Sequence, residues 1–484
     1  METILETIVD WLWGLPLIFT VLFVGLYFTI GSKFFQFGYL PHIFKATFGR
    51  LFSKKDSNKE KGILTPFQAV STAIGGSVGV GNIGGVATAI AVGGPGAVFW
   101  MWVTAFLGMM TKTVEVSLAV HYRSTDEKGN PYGGPTYYME KGLGEEKKFK
   151  YWKIPAFLFG FGIFTTFFIT LQNYTVSEAV SSTFKIGMIP SSFIYVTLIY
   201  VIIYGGIKRI GEIASKLIPF MSIFYILASL FIIFKNFSEI GPVFGLIFES
   251  AFSGMAAVGG FTGAVIAQVI RMGVARAVYS NEAGWGTSPM IHSTAKTNHP
   301  IKQGMWGAIE VFIDTIVICS MTAFTIIITG AWSSGLDGAA LTLSAFETGI
   351  GESGRMILTL CIFLFGLTTT TGWYTYYEII LRHLFGGVSK IKTKNKTLNF
   401  YKWLYPIPGL LMVVYAVAYD LPGKAVWYFA DITTAIPTFI NLVILLILSK
   451  KFFALLRDYK ARHLNIGTVD PNFHVFYEDK LKKK

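Results

Sequence analysis

The chain alternates between long apolar stretches and shorter polar stretches that carry most of its charge. A stretch of about 20 mostly apolar residues is long enough for a helix to cross a bilayer, and helices satisfy their own backbone polar groups there. The pattern therefore predicts an all-α polytopic membrane protein with about 11 transmembrane helices. The predicted spans lie at 11–32, 66–92, 96–120, 154–184, 190–206, 212–234, 243–270, 304–330, 354–385, 404–419 and 424–449.

Composition agrees with a membrane protein, since 52% of the 484 residues are hydrophobic and 14% are charged. Soluble chains average about 25% charged residues. The net charge of +13 is better explained by membrane topology than by nucleic-acid binding, so no nucleic-acid partner is expected. The chain has neither a nucleotide-binding P-loop nor a nucleophile–base pattern, which argues against an enzyme and against transport driven by its own ATP hydrolysis.

Lys and Arg are concentrated in alternate loops, namely 33–65, 121–153, 205–216, 271–303 and 382–402, and in the tail 450–484. By the positive-inside rule these segments face the cytoplasm. The acidic N-terminus is then outside the cell, and the basic tail is inside, where it can touch anionic lipid.

Six glycines lie between Gly75 and Gly85, inside an uncharged stretch. Glycines destabilise a helix interior, so the run predicts a broken helix whose backbone groups are available to a solute, with close packing of small residues as the alternative. A second glycine-rich run extends from Gly254 to Gly263. Each run begins a set of five spans, at 66–234 and 243–449, after an additional span at 1–33. Because five is odd, the two sets form an inverted repeat, which is typical of transporters.

A broken helix leaves backbone N–H and carbonyl groups free to bind a small zwitterionic solute and a cation. The free N–H groups of Gly76, Ser77, Val80 and Gly81 suit a carboxylate, and free carbonyls suit sodium. Asn82 offers a further oxygen.

Polar side chains interrupt other apolar helices. Gln172 is either an acceptor for a substrate ammonium or part of a helix–helix hydrogen bond. The run Thr368–Thr371 precedes Gly372 and Trp373 and could complete a sodium site, although threonines also bond back to their own helix.

Several charged residues fall within or beside spans. Glu310 and Asp314 either bind a cation or relay protons, or else they pair with Arg271 or Arg276. Glu115 is expected to pair locally with Lys112. The segment Asn281–Pro289 resembles a short gate or hinge on the cytoplasmic side.

These motifs together resemble the alanine/glycine:cation symporter family, also called sodium:alanine symporters, over almost the whole chain. The resemblance rests on Gly75–Gly96, Gly133–Tyr138, Asn281–Ser288 and the pair Gly372-Trp373. It implies a leucine-transporter-like fold, a five-plus-five inverted repeat with broken first and sixth core helices and an added N-terminal span. It also implies sodium-coupled uptake of alanine, glycine or similar amino acids, with some members preferring glutamine.

The resemblance also implies site residues. Substrate contacts would come from Gly76, Ser77, Gln172, Phe261, Val265, Thr369 and Trp373. Sodium would be bound by carbonyls near Gly75 and Val78 and by the hydroxyls of Thr368 and Thr369, with Asn82 as a further candidate. Thr370 and Thr371 replace the aliphatic residues expected there, so the pocket could admit serine or glutamine.

The leading hypothesis is a sodium-coupled symporter for small neutral amino acids in a bacterial inner membrane, working by alternating access. Sodium is the coupling ion and no other cofactor is expected. The alternatives are a proton-coupled carrier that uses Glu310 or Asp314 and, less favoured, a channel. The sequence leaves the oligomeric state open.

Overall fold

The computed structural model describes residues 2–50, 62–168, 171–253, 266–386, 391–419 and 423–481, which are nearly all helical. The part up to residue 235 contains α1 (Glu2–Leu12), α2 (Leu15–Gly31), α3 (Phe35–Gly38), α4 (Leu40–Ala46), α5 (Pro66–Ser77), α6 (Val86–Gly93), α7 (Ala97–His121), α8 (Pro135–Tyr138), α9 (Lys153–Phe168), α10 (Leu171–Phe184), α11 (Met188–Ile203) and α12 (Gly206–Lys235). A two-stranded antiparallel sheet, β1 (Ser124–Thr125) and β2 (Pro131–Tyr132), follows α7.

The remaining part contains α13 (Ile240–Ser253), α14 (Ile266–Asn281), α15 (Ser288–His292), α16 (Pro300–Val311), α17 (Ser320–Ile328), α18 (Gly338–Ile350), α19 (Glu352–Leu384), α20 (Ile391–Leu404), α21 (Ile407–Ala418), α22 (Gly423–Ile447), α23 (Ser449–Leu464) and α24 (Tyr477–Leu481). Short π-helical segments occur at Gly81–Gly85, Met139–Glu146 and Phe312–Cys319, and short 3-10 turns at Phe48–Arg50, Phe237–Glu239 and Ala331–Ser333.

Most of the predicted apolar stretches contain helices that are long and apolar enough to cross a bilayer. Among the described residues, six helices qualify by length and composition, or up to eight if two bent pairs are each counted as one span, whereas Leu15–Gly31 and Met188–Ile203 are shorter apolar helices. Each of the predicted stretches overlaps at least one described helix. Cys319 and Cys361 are free thiols, and both are buried.

The first predicted break is present. Helix α5 starts with a capping box between Thr65 and Gln68 and ends at Ser77, where Val78 leaves the helical conformation with ψ 99°. The chain then turns by 52° before it continues through the π-helical segment into α6. The Gly79 amide, which a continuous helix would direct to the Gly75 carbonyl, donates instead to the Asn82 side chain at 2.9 Å.

A second break lies at Asn281–Thr287, between α14 and α15. Glu282, Gly284 and Gly286 have φ values of 55°, 93° and 83°, and two of these three residues are glycines, for which this conformation carries no steric cost. The segment is buried, so it is a break inside the protein and not an exposed loop, and its role as a gate or hinge stays a prediction. The run Gly254–Gly263, predicted as the second break, lies outside the described residues.

The crossing that contains this break is also displaced from the predicted span 243–270. Helix α14 passes Gly93, close to the start of α7, through Met272. The residue after α15, Ser293, accepts a hydrogen bond from Arg123, just beyond the other end of α7. The segment 266–292 therefore runs alongside α7 from one end of that helix to the other. The repeat limits 66–234 and 243–449 stay a prediction.

Arg271 and Arg276 consequently lie on helix α14, on the same side of the protein as the N-terminal helix, and not in a loop. Arg271 pairs with Asp10 at 2.5 Å. Arg276 makes a bidentate pair with Asp431, with both N–O distances 2.7 Å. These acids offset the charge of the two arginines, which sequence analysis had assigned to the opposite face.

Candidate functional site

The two breaks meet at Trp373 on α19. Its indole Nε1 donates to the carbonyl oxygen of Gly76 at 3.2 Å and to Oε1 of Glu282 at 3.1 Å. A Cβ on Gly372 would lie 2.9 Å from the Gly76 Cα, so α19 packs directly on the backbone of α5. This close approach brings the indole to both breaks at once.

A small cavity lies beside this junction, with a volume of about 30 Å³, which is room for about two water molecules. Its walls combine aromatic rings with hydroxyl groups and one amide. The lining residues are Thr166, Gln172, Tyr279, Trp285, Thr370, Trp373, Tyr377, Tyr405, Thr433 and Thr434. A pocket of this composition suits a small solute that has both apolar and polar parts.

The predicted substrate residues fall into three groups. Gln172 and Trp373 line the cavity. Gly76 contributes its carbonyl to the junction, whereas the Ser77 hydroxyl returns to the Ile74 carbonyl at 3.3 Å. Phe261 and Val265 lie outside the described residues, and the residues near the second break that line the cavity are Tyr279 and Trp285.

The four threonines of α19 differ in what they contact. The Thr369 hydroxyl reaches the first break and donates to the Val78 carbonyl at 3.2 Å. Thr368 donates back to Phe365 at 2.9 Å, within its own helix. The Val78 carbonyl and Thr369 hydroxyl are oxygen ligands of the kind that sodium prefers, and they lie where the helix is open. The sodium-binding roles of Gly75, Val78, Thr368 and Thr369 stay predictions.

Thr370 and Thr371 do not present free hydroxyls to the cavity. Thr370 lines it, but its hydroxyl shares a 2.7 Å hydrogen bond with Tyr195. Thr371 donates to carbonyls of its own helix, at Leu367 and Thr368. The expectation that these two residues let the pocket admit serine or glutamine stays a prediction.

Asn82 connects the first break to Asp314. Its Nδ2 donates to Oδ1 of Asp314 at 2.7 Å, while Ser280 and Thr315 each donate to Oδ2 at 2.8 Å. Asp314 is fully buried, and no Lys, Arg or His among the described residues forms an ion pair with it. The predicted alternative partners Arg271 and Arg276 are therefore wrong for Asp314.

Glu310 has a different environment. It lies 3.3 Å from the Lys112 ammonium and 2.9 Å from Nε2 of His292, and all three side chains are fully buried. Glu115, the expected local partner of Lys112, instead accepts hydrogen bonds from the Gly284 amide at 3.1 Å and from Asn441 at 2.6 Å. Lys112 is thus paired across helices, and the predicted local pair is wrong.

Sequence reasoning missed Glu282, Tyr279 and Trp285 as site residues. The available signal was the alternation of glycine with Trp285 in Ala283–Gly286, which marks a backbone bend around a large aromatic ring. The lysines and arginines nearby directed the interpretation toward a cytoplasmic loop.

The chain is similar in sequence to a known protein family and to individual proteins within it. A model of the sodium:alanine symporter family matches residues 1–474. The sodium/alanine symporter AgcS of Methanococcus maripaludis is 38% identical over 92% of this chain and 94% of its own. The probable sodium/glutamine symporter GlnT of Bacillus subtilis is 37% identical over 100% of this chain and 95% of its own.

Two solved structures share the fold. A Na+-coupled sialic acid symporter in an outward-open state has a TM-score of 0.53 at 12% identity, covering 94% of this chain and 92% of that one. The manganese transporter of Eremococcus coleocola has a TM-score of 0.52 at 12% identity, covering 87% and 86%. They support the leucine-transporter-like, all-helical membrane fold that the sequence predicts. The expectation that the chain is a transporter and not an enzyme is likewise confirmed.

Proposed function

Because this chain belongs to the sodium:alanine symporter family, we propose that it imports alanine, glycine and similar small neutral amino acids together with sodium. Coupled amino-acid transport follows from family membership; the substrate and the ion are the proposal. The observation that supports it most is the contact of Trp373 with Gly76 and Glu282, because it joins both breaks beside the cavity.

The cavity favours small substrates. Its aromatic walls leave about 30 Å³, and the hydroxyls of Thr370 and Thr371 are already engaged. We assign the substrate carboxylate to the backbone amides of Val80 and Gly81, at the start of the helical segment that follows the first break, because a helix N-terminus attracts anions. The amides of Gly76 and Ser77, predicted for the same role, lie within helix α5 instead. The Gln172 side-chain carbonyl is our candidate acceptor for the substrate ammonium. Alanine and glycine should then compete best, serine less well and glutamine least.

Sodium is proposed to bind at the first break. The Val78 carbonyl and the Thr369 hydroxyl are 3.2 Å apart and can both turn lone pairs toward a cation. The Gly75 carbonyl and Thr368 would complete the site as the family resemblance implies. Sodium bound there would brace α5 against α19, which is how ion binding could favour one state of an alternating-access cycle.

Proton coupling is the second candidate function, and Asp314 is the observation that favours it. Glu310 is already neutralised by Lys112, so it is a poor proton carrier. Asp314 is a buried carboxyl group beside the first break, and no cationic side chain among the described residues pairs with it. An intramembrane acid of this kind can exchange a proton during a transport cycle.

The decisive experiment measures uptake of labelled alanine into proteoliposomes, with an inward sodium gradient or with choline in its place. Potassium and valinomycin hold the membrane potential constant while a protonophore is added. Sodium-dependent uptake that resists the protonophore supports the proposal. Uptake that is equal in choline and in sodium would assign the coupling role to Asp314 if it is abolished both by the protonophore and by the Asp314→Asn substitution. Absence of uptake of alanine, glycine, serine and glutamine by folded protein would refute the substrate class.

We also propose that the N-terminus faces outward and the C-terminus faces the cytoplasm of a bacterial cell. Helix α2 separates Asp10 from Lys33, and Lys460 of α23 contacts Ser32 at the far end of α2, so the described basic residues of these two segments lie on the face opposite Asp10. Protease accessibility of tags at the two ends in oriented membranes tests this orientation.

A further inference from the structure

A groove lies on the face of the protein that carries helix α23 and the segment after it, away from the proposed transport site. It has a volume of about 870 Å³ and opens between the end of α2, helix α23 and the segment 466–473. Three basic residues line it, Lys33, Arg457 and Lys460, together with the aromatic rings of Tyr39 and Phe453. We call this feature the basic groove.

The positive charge of the basic groove is not neutralised by its own acids. Asp458 is engaged by Arg462 at 2.8 Å and by His299 at 3.2 Å. The Asp470 carboxylate accepts from the amide of Asn472 at 2.9 Å. Neither acid forms an ion pair with Lys33, Arg457 or Lys460, so the groove as a whole can attract an anion.

The cations themselves have few protein partners. Lys460 donates to the Ser32 carbonyl at 3.4 Å and lies 4.9 Å from the Tyr39 ring centre. Within the described part of the chain, the exposed side chains of Lys33 and Arg457 form no hydrogen bond or ion pair. Three like charges share one concave surface, which an anionic ligand would stabilise.

The surface next to the groove is apolar. Phe34, which follows Lys33, is 51% exposed, and Ile30 one turn earlier is 56% exposed. Lys33 and Phe34 both adopt left-handed backbone conformations, with φ of 60° and 55°. Consecutive residues other than glycine in this conformation are strained, and such strain is found where a ligand site is held in place. Basic and apolar surfaces meet here at the end of a membrane span.

We propose that the basic groove binds the phosphate headgroup of an anionic phospholipid, with Lys33 and Arg457 on the phosphate and the acyl chains along Ile30 and Phe34. The exposed apolar residues favour a lipid over free phosphate, because only a lipid covers both surfaces. Lys and Arg at the end of a membrane helix are the side chains that attract anionic headgroups.

Native mass spectrometry of the purified full chain tests this proposal with added phosphatidylglycerol or phosphatidylcholine. The wild type should retain phosphatidylglycerol at least about tenfold more tightly than phosphatidylcholine, and Lys33→Gln with Arg457→Gln should lose about tenfold of that affinity. Lys392→Gln with Lys396→Gln is the matched control, because it removes two exposed charges on α20, outside the groove. The charge-preserving pair Lys33→Arg with Arg457→Lys should retain binding.

Three results would overturn the proposal. Equal retention of the two lipids by the wild type would show that binding is not selective for the headgroup, and this result does not depend on whether any variant folds. An unchanged phosphatidylglycerol affinity in folded Lys33→Gln, Arg457→Gln protein would exclude the groove. Displacement of the lipid by millimolar inorganic phosphate would assign the site to a soluble anion instead.

Discussion

The indole nitrogen of Trp373 donates to the backbone carbonyl of Gly76 across 3.2 Å, at the last turn of α5 before the chain leaves the helix. The same nitrogen contacts the Glu282 carboxylate in the second break. One side chain therefore contacts both breaks, at Gly76 and at Glu282, although these residues are 206 positions apart in the sequence. Any movement of one break relative to the other must change these hydrogen bonds.

Replacing Trp373 by phenylalanine should reduce kcat/KM for alanine uptake by roughly 10- to 100-fold. A smaller aromatic ring remains, but the indole N–H is lost, and with it one hydrogen bond to a buried carbonyl and one to a carboxyl group, which together cost about 2–3 kcal/mol. Trp102→Phe is the control, since that indole donates to Ser320 at 2.9 Å, on another part of the protein. Similar uptake by the two variants would mean that the Trp373 contacts have no role in transport.

Gly76→Ala should abolish uptake, and Tyr376→Phe should partly restore it. A Cβ at residue 76 would lie 2.4 Å from the Tyr376 hydroxyl, which has no hydrogen-bond partner within the described structure. Removing that oxygen leaves the ring carbon 3.2 Å away, a tight contact that a small shift relieves. Uptake by the two single variants and the double variant gives the coupling energy. A double variant as inactive as Gly76→Ala would place the obstruction elsewhere.

Thr369→Val should raise the sodium concentration for half-maximal uptake by about tenfold or more, because the hydroxyl at the Val78 carbonyl is lost while the side-chain shape is kept. Thr371→Val serves as the control, since that hydroxyl bonds only within α19. Sodium titration of alanine uptake measures both. If Thr371→Val shifts the titration as much as Thr369→Val, the proposed sodium site is wrong.

Glu310→Gln should destabilise the fold by about 3–5 kcal/mol, because the Lys112 ammonium stays buried without its counter-charge. Lys112→Met combined with Glu310→Leu should be less harmful than the single change. Glu347→Gln removes an exposed partner of Arg355 and should cost at most about 1 kcal/mol. Thermal unfolding in detergent ranks the three. Equal melting temperatures for Glu310→Gln and Glu347→Gln would contradict the assigned pairing.

His299 should make stability dependent on pH. Burial lowers the pKa of this imidazole from its ordinary value of 6.5, although Asp458 opposes the shift. The unfolded chain then binds the proton more readily, so stability is greatest above about pH 6.5 and falls as the pH drops below it. Neutral His299 also accepts from the Ile301 amide at 3.2 Å, capping α16.

His299→Asn keeps a capping oxygen without this titration. Its melting temperature should therefore decline less between pH 7.5 and about pH 5.5 than that of the wild type. Parallel declines in the two proteins would show that His299 does not contribute.

The features that the sequence predicted well are those with local causes. Apolar length determines the spans, and the glycines from Gly75 to Gly85 produce the first break within a few residues of its predicted place. The side chains of Gln172 and Trp373 are polar or amphipathic within apolar helices, which is why both could be selected as cavity residues without a structure.

The features that it could not predict depend on partners distant in sequence. Arg276 resembled a cytoplasmic charge because nothing near it indicates that Asp431, 155 residues away, offsets its burial. Lys112 has an acid three residues later, yet its partner is Glu310. The break at Asn281–Thr287 was missed for the same reason, because it is held by tertiary contacts such as the hydrogen bond from Trp373 to Glu282.

The most direct test of the central claim follows labelled sodium and labelled alanine into the same wild-type proteoliposomes. Coupling at the two breaks predicts that alanine accelerates sodium entry and sodium accelerates alanine entry, in a fixed ratio, and that Trp373→Phe reduces both fluxes together. Alanine entry with no accompanying sodium flux would contradict the account.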